Sequence, residues 1–218
     1  LLDEVRSCKS PGEFKKIYGI KQSKRLIGIL PGSRLREVDS LLPVFIETAR
    51  LLDKSAPGQL SFVIPKAATI AKERFFQAGL SDAKELDIQL VDDDRYDLMA
   101  ACECVMAASG TVSLELALLH TPMVIAYKLS PFTYRLAKLL VKLEYFSLVN
   151  LIAGREVVVE LLQDEVQPEI LASKMRPLLF SYPTIKTMRK ELARVNQKLG
   201  SEGASDRAAQ VALDMLGY

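Results

Sequence analysis

Cysteine is scarce in this sequence, and an excess of charge of one sign is nearly absent. The three cysteines, Cys8, Cys102 and Cys104, make no disulfide framework, and Cys102-x-Cys104 lacks the second ligand pair of a zinc site. Such usage suits a reducing compartment, hence a cytoplasmic protein. The formal net charge is only +2. That excludes the strong basic field of a dedicated nucleic-acid binder, and no aromatic-and-basic repeat suggests single-strand binding, so no nucleic acid is expected as a partner. Long apolar runs are missing too. None reaches the ~18 residues of a spanning helix, and the most apolar region, Val112 to Ala126, is broken by Glu115, His120 and Pro122. Leu1 to Ser10 mixes acids and bases and does not read as a signal peptide.

What is present suits one sizeable core with a small appendage: 49% of residues are hydrophobic against 26% charged. Residues 1–24 read as a lead-in containing a short helix from Glu13 to Tyr18. Short apolar runs then alternate with helical periodicity: Arg25–Leu30, Leu60–Ile64, Ile88–Val91, Cys104–Ala108 and Met123–Tyr127. The alternation predicts α/β architecture with a doubly wound parallel sheet and right-handed crossovers. In the helix after the first strand, Leu42, Phe45, Ile46, Ala49 and Leu52 share one face, and Pro43 either kinks it or opens its main part. Asp92 to Asp94 are expected to cap the helix from Tyr96; as three neighbours they point apart and suit a metal poorly.

Two turns follow strands at the end of the sheet where ligands bind in such folds. Gly32-Ser33-Arg34 offers backbone donors and a guanidinium, and Ser109-Gly110-Thr111 offers N–H groups and hydroxyls at a helix start. Glu115, one helical turn beyond Thr111, suits a ribose diol while the turns hold attached phosphates. Alone, the second turn is equally a helix N-cap followed by an acid favoured by the helix dipole. Arg34 is either a bidentate phosphate ligand or the partner of Glu37. His120, before Thr121-Pro122, fits a helix C-terminal dipole better than catalysis.

Beyond Ser130-Pro131, Arg135, Lys138 and Lys142 are spaced for one helical face, which could touch an anionic bilayer or be an ordinary solvated face. Helices are expected at about Val157–Leu162, Pro168–Leu179, Thr184–Leu199 and Ser205–Leu216, with a hinge from Leu199 to Ser205. A sixth strand is foreseen only if Tyr145–Val149 supplies one.

Three stretches, ILPGSRLREVDSLLPVF, ASGTVSLELALLHTPMVIAYK and YFSLVNLIAGREVVVELLQDEVQPE, together resemble the lipid-A-disaccharide synthases, in order and at the family's spacing. The resemblance implies the C-terminal half of a two-domain GT-B glycosyltransferase: a Rossmann-like UDP-sugar domain over residues 25–180, then helices over 181–218 that pack back or exchange between subunits in a homodimer. An N-terminal domain of comparable size, carrying the acceptor site and the general base, is expected outside this sequence, so the chain alone would be inactive. The implied reaction is inverting transfer from UDP-2,3-diacylglucosamine to 2,3-diacylglucosamine 1-phosphate, giving a β-1,6-linked disaccharide and UDP, at the cytoplasmic face of the inner membrane.

The resemblance also assigns roles. Gly32, Ser33, Arg34, Ser109, Gly110 and Thr111 would hold the diphosphate, and Glu115 the ribose. Asn150 would touch the sugar or diphosphate, or else cap the turn before Gly154. Arg155 would be a second cation, or a surface residue; Glu160 and Gln163, three apart on one helical face, would read donor hydroxyls or ribose. Arg34 and Asn150 would stabilise the leaving group. No cofactor and no metal are expected, since arginines and helix N-termini can neutralise the diphosphate. A UDP-sugar epimerase half and a stand-alone UDP-binding module are the competing readings.

Overall fold

Apolar runs flanked by polar stops become strands buried on both faces. The computed structural model describes residues 1–129 and 144–216. Its strands are β1 (Arg25–Leu30), β2 (Leu60–Pro65), β3 (Ile88–Val91), β4 (Cys104–Ala108), β5 (Met123–Tyr127) and β6 (Val159–Leu162). All pair in parallel, in the order β3-β2-β1-β4-β5-β6. Every residue of β4 is buried, as are the last five of β1, which is the signature of a sheet covered on both faces.

The described helices are α1 (Pro11–Ile17), α2 (Leu35–Ser55), α3 (Lys72–Gln77), α4 (Arg95–Ala101), α5 (Val112–Leu118), α6 (Leu148–Ala153), α7 (Pro168–Phe180), α8 (Tyr182–Lys198) and α9 (Ala204–Leu216). Packing divides most of them into two layers. α2, α3 and α7 contact one another or the sheet on one side, while α1, α4, α5, α6 and α8 form the other. The expected apolar stripe of α2 is buried in full, and burying a side chain such as Phe45 contributes about 1.5–3 kcal/mol. Pro43 lies inside α2, which runs continuously from Leu35, so the helix does not begin there. α8 packs back through Met188, Leu192 and Val195, whereas α9 leaves Val211, Leu213 and Met215 exposed.

Two expectations fail. Val157–Leu162 contributes β6 rather than a helix, and Tyr145–Val149 supplies no strand. Three consecutive valines favour the pleated edge beside β5, where Val159 pairs with Val124 and Leu162 with Tyr127. The aspartates do not cap α4 either. Asp94 occupies the cap position with a left-handed backbone (φ 59°) and no capping hydrogen bond. It accepts instead from Lys9 Nζ (2.7 Å) and from the Tyr18 hydroxyl (3.1 Å), and Asp92 pairs with Lys66 (3.1 Å).

The lead-in is tied down by Asp97. Its Oδ1 accepts from the backbone N–H groups of Cys8 (2.6 Å) and Lys9 (2.9 Å) and from the Ser7 hydroxyl (3.0 Å), while Lys9 Nζ reaches Oδ2 at 2.8 Å. Burial works against the charge, but the Lys9 ammonium and these donors outweigh it and hold the carboxyl down at about 2. A depressed acid stabilises the fold above its unfolded value of 3.8 and loses that contribution as pH falls towards 2. Asp97→Asn should therefore cost about 2 kcal/mol at pH 7 and flatten the loss of stability between pH 4 and 2. Urea unfolding over that range checks this; a variant with the wild-type acid slope would remove Asp97 from that role.

Candidate functional site

The sheet reverses its winding between β1 and β4, which are hydrogen-bonded neighbours with Leu30 opposite Ala107. A crevice forms at such a switch point, outside the carboxyl ends of the strands. The turns Gly32-Ser33-Arg34 and Ser109-Gly110-Thr111 leave those two strands side by side, and both line a cavity of about 530 Å³. Pro65 at the end of β2 and Lys66 just after it, Arg95 at the start of α4, and Tyr127 and Phe146 add the other walls.

Gly32 has a left-handed backbone (φ 112°), and any Cβ there would collide with the Glu37 carboxylate. Arg34 is 82% exposed and donates through Nη1 to Glu37 Oε1 at 2.9 Å, so the ion pair weighed from the sequence does form. Across the crevice, Thr111 makes no capping hydrogen bond, and the backbone N–H groups of Gly110 and Thr111 find no acceptor among the described residues. The helix-cap reading of this turn is therefore not realised. The Ser109 hydroxyl is directed to the Phe146 carbonyl (3.4 Å).

Glu115 is 4% exposed and faces this cavity. Arg95 Nη2 lies against its Oε2 as an ion pair, but without hydrogen-bond alignment, and that oxygen accepts no hydrogen bond. A buried carboxylate paired with a cation can also accept from a donor that enters the cavity. Arg95, whose guanidinium also sits 5.1 Å over the Tyr96 ring, was not foreseen from sequence. Its signal was position: a cation opening the helix that follows β3, at the carboxyl edge of the sheet. Lys66, just past β2, was missed for the same reason. The walls thus carry Arg34, Lys66 and Arg95 against Glu37 and Glu115, an excess of positive charge suited to an anion.

The structure does not bring the remaining candidates to this cavity. Asn150 is fully buried; its Oδ1 accepts from Val157 N (2.7 Å) and Val158 N (3.0 Å), and its Nδ2 donates to Val158 O (2.8 Å) and Glu160 Oε1 (2.7 Å). No bonding capacity remains for a ligand. Glu160 lies in β6 rather than on a helical face, and its carboxylate also accepts from Phe146 N and Ser147 N, both at 2.9 Å. These two residues position the loop that presents Phe146. Arg155 pairs with Glu191 on α8. Gln163, just beyond β6, clasps the Leu129 backbone through both ends of its amide (2.6 and 3.2 Å) and lines a wider groove of about 1070 Å³ that shares the walls of Arg34, Glu37 and Tyr127. His120 is exposed, just past α5. Arg135, Lys138 and Lys142 lie outside the described residues.

The family described as lipid-A-disaccharide synthetase matches residues 1–215. A lipid-A-disaccharide synthase of Trichlorobacter lovleyi is 43% identical over 91% of this chain and 51% of its own length; that of Geobacter metallireducens is 38% identical over 100% and 56%. The chain thus spans about half the length of the curated relatives it matches. Among solved structures, WaaG, a glycosyltransferase involved in lipopolysaccharide biosynthesis, superposes with a TM-score of 0.59 at 15% identity over 94% of this chain and 51% of its own. Anabaena HepE in complex with UDP and glucose gives 0.59 at 15% over 98% and 53%. A Listeria monocytogenes protein named as a UDP-N-acetylglucosamine 2-epimerase gives 0.56 at 16% over 87% and 45%. At such identities these likenesses show the Rossmann-like fold alone.

Removing the Asn150 amide would orphan two buried N–H groups and a carbonyl. Asn150→Ala should cost about 2–4 kcal/mol in urea unfolding. Unchanged stability with weakened ligand binding would instead return Asn150 to direct contact.

Proposed function

This chain belongs to the lipid-A-disaccharide synthetase family, and we propose that it is the donor-binding half of an inverting UDP-dependent glycosyltransferase. The observation that carries the reading is one cavity that gathers the donor-bearing turns Gly32-Ser33-Arg34 and Ser109-Gly110-Thr111 with the buried Glu115 carboxylate. A nucleoside diphosphate fits both. Its ribose hydroxyls donate to Glu115, and its phosphates accept from the Ser33, Arg34, Gly110 and Thr111 N–H groups and from the Arg34 guanidinium.

On this reading the donor is UDP-2,3-diacylglucosamine and the acceptor 2,3-diacylglucosamine 1-phosphate, giving the β-1,6 disaccharide 1-phosphate and UDP. Inversion requires a base on the acceptor hydroxyl and stabilisation of the departing diphosphate. The second is what this chain's residues offer: as the anomeric carbon–oxygen bond breaks, charge grows on the β-phosphate, and Arg34 with the two turns answers it. We assign the base and the acceptor site to the part of the relatives' length that this chain does not span.

No described helix is long and apolar enough to cross a membrane. Substrates with acyl chains suit an enzyme peripheral at the inner face of the inner membrane, with Arg135, Lys138 and Lys142 as the candidate contacts to anionic lipid. The exposed Val211, Leu213 and Met215 of α9, which begins within the hinge read at Leu199 to Ser205, suit exchange with a second copy. An epimerase half is the weaker reading, because the family match favours the transferase and the epimerase likeness is one of fold only.

Two titrations test the donor site. Arg34→Ala should weaken UDP binding about 10- to 100-fold by calorimetry. The wild type should prefer UDP to 2′-deoxy-UDP about 10-fold, and Glu115→Ala should erase that preference. A retained preference would remove Glu115 from the ribose. In the full-length enzyme, turnover should survive excess chelator; abolition restored by magnesium would overturn the metal-independent mechanism.

A further inference from the structure

Glu37 sits where a phosphate would sit. Its Oε2 accepts from the backbone N–H groups of Ser33 (3.0 Å) and Arg34 (3.2 Å), and its Oε1 accepts from Arg34 Nη1 (2.9 Å). Three donors converging on one anion at the head of the 21-residue α2 form the arrangement that binds phosphate oxygens. The carboxylate leans into space left open only because residue 32 is a glycine. The opposite wall carries the Gly110 and Thr111 N–H groups, which find no acceptor among the described residues.

The carboxylate and an incoming phosphate cannot share these donors, since both are anionic and both need the same N–H groups. Room for the side chain to leave exists on the other side of Arg34. Glu37 and Ser40 also line the wider groove, so a rotation of the Glu37 side chain can carry it out of one cavity into the other without moving α2.

Resting on the nucleoside-diphosphate reading of the cavity, we propose that Glu37 is an internal occupant of the phosphate position, so that nucleotide binding is an exchange. The diphosphate takes the Ser33 and Arg34 N–H groups and the guanidinium, and the Glu37 carboxylate swings into the groove. When the leaving diphosphate departs, Glu37 returns. The empty turn therefore never carries unsatisfied donors, and release of UDP is assisted by a competitor tethered in the same chain, at the expense of affinity.

The test compares UDP with uridine, which lacks phosphates, in calorimetric titrations of wild type, Glu37→Ala and Glu37→Gln. Glu37→Ala should bind UDP about 10-fold tighter than wild type, or about 1.4 kcal/mol, with uridine affinity unchanged. Glu37→Gln, which keeps one acceptor and drops the charge, should fall between, and it carries the test should the alanine variant not fold. UDP affinity equal to or weaker than wild type, with uridine unchanged, would overturn the exchange and make Glu37 a scaffold of the turn. Equal changes for UDP and uridine would overturn it too, as an effect on the whole cavity. If UDP binds none of the three proteins, the donor reading fails and the exchange with it.

Discussion

The pairing of β1 with β4 is the constraint on which the rest of the site depends. In chain order these strands are far apart, and the crossover between them runs through two further strands and three helices. Their register places the ends of both strands level, so two donor-bearing turns emerge together at the point where the winding reverses. Neither turn amounts to much alone. A single backbone nest in water gains little from an anion, but two nests facing one cavity, with Arg34, Lys66 and Arg95 on its walls, give a site suited to an anion.

That field is largely cancelled within the protein. Arg34 is matched by Glu37, Arg95 by Glu115 and Lys66 by Asp92. Lone cations and lone carboxylates crowded into a concave, partly dry space would each carry a desolvation cost, and mutual pairing lowers it. The pairs are unequal, however. Arg34 is mostly exposed, so its pairing is worth about 1 kcal/mol or less and is readily given up. Glu115 is buried and held against the Arg95 guanidinium, so its pairing is the more costly to break. The asymmetry separates a pair that opens at little cost from one that does not.

The sheet was legible because its strands are short runs of β-branched and aliphatic residues bounded by polar or turn residues: β1 ends at Pro31-Gly32, β3 lies between Asp87 and Asp92, and β5 begins after Pro122. The placement of Gly32, Ser33, Arg34 and Ser109 at the cavity was legible for the same reason, since they follow the strands at once, and Glu115 lies one helical turn beyond the second of those turns. What escaped was set by tertiary contact. Val157–Leu162 has an apolar run compatible with either period, and the edge of β5 decided for a strand. Asp94 carries the signature of a cap, yet Lys9, more than 80 residues earlier, claims it together with Asp97. Asn150 and Glu160 are polar residues within a motif, which suggests a ligand; in the fold their hydrogen bonds are used up in joining α6 to β6. Local pattern does not reveal whether a polar group is already satisfied.

Catalysis by such a surface depends on what covers it. A guanidinium that is mostly solvated interacts with a phosphate at nearly the dielectric constant of water, where unit charges 4 Å apart attract by about 1 kcal/mol. The same pair at an effective constant of 20 gains about four times as much. On the proposed reading, stabilisation of a departing diphosphate would therefore grow steeply once water is excluded from the crevice. An open crevice whose charges are already paired is suited to binding and releasing a nucleotide under weak forces. Covered by a second wall, the same donors act where a developing charge needs them most.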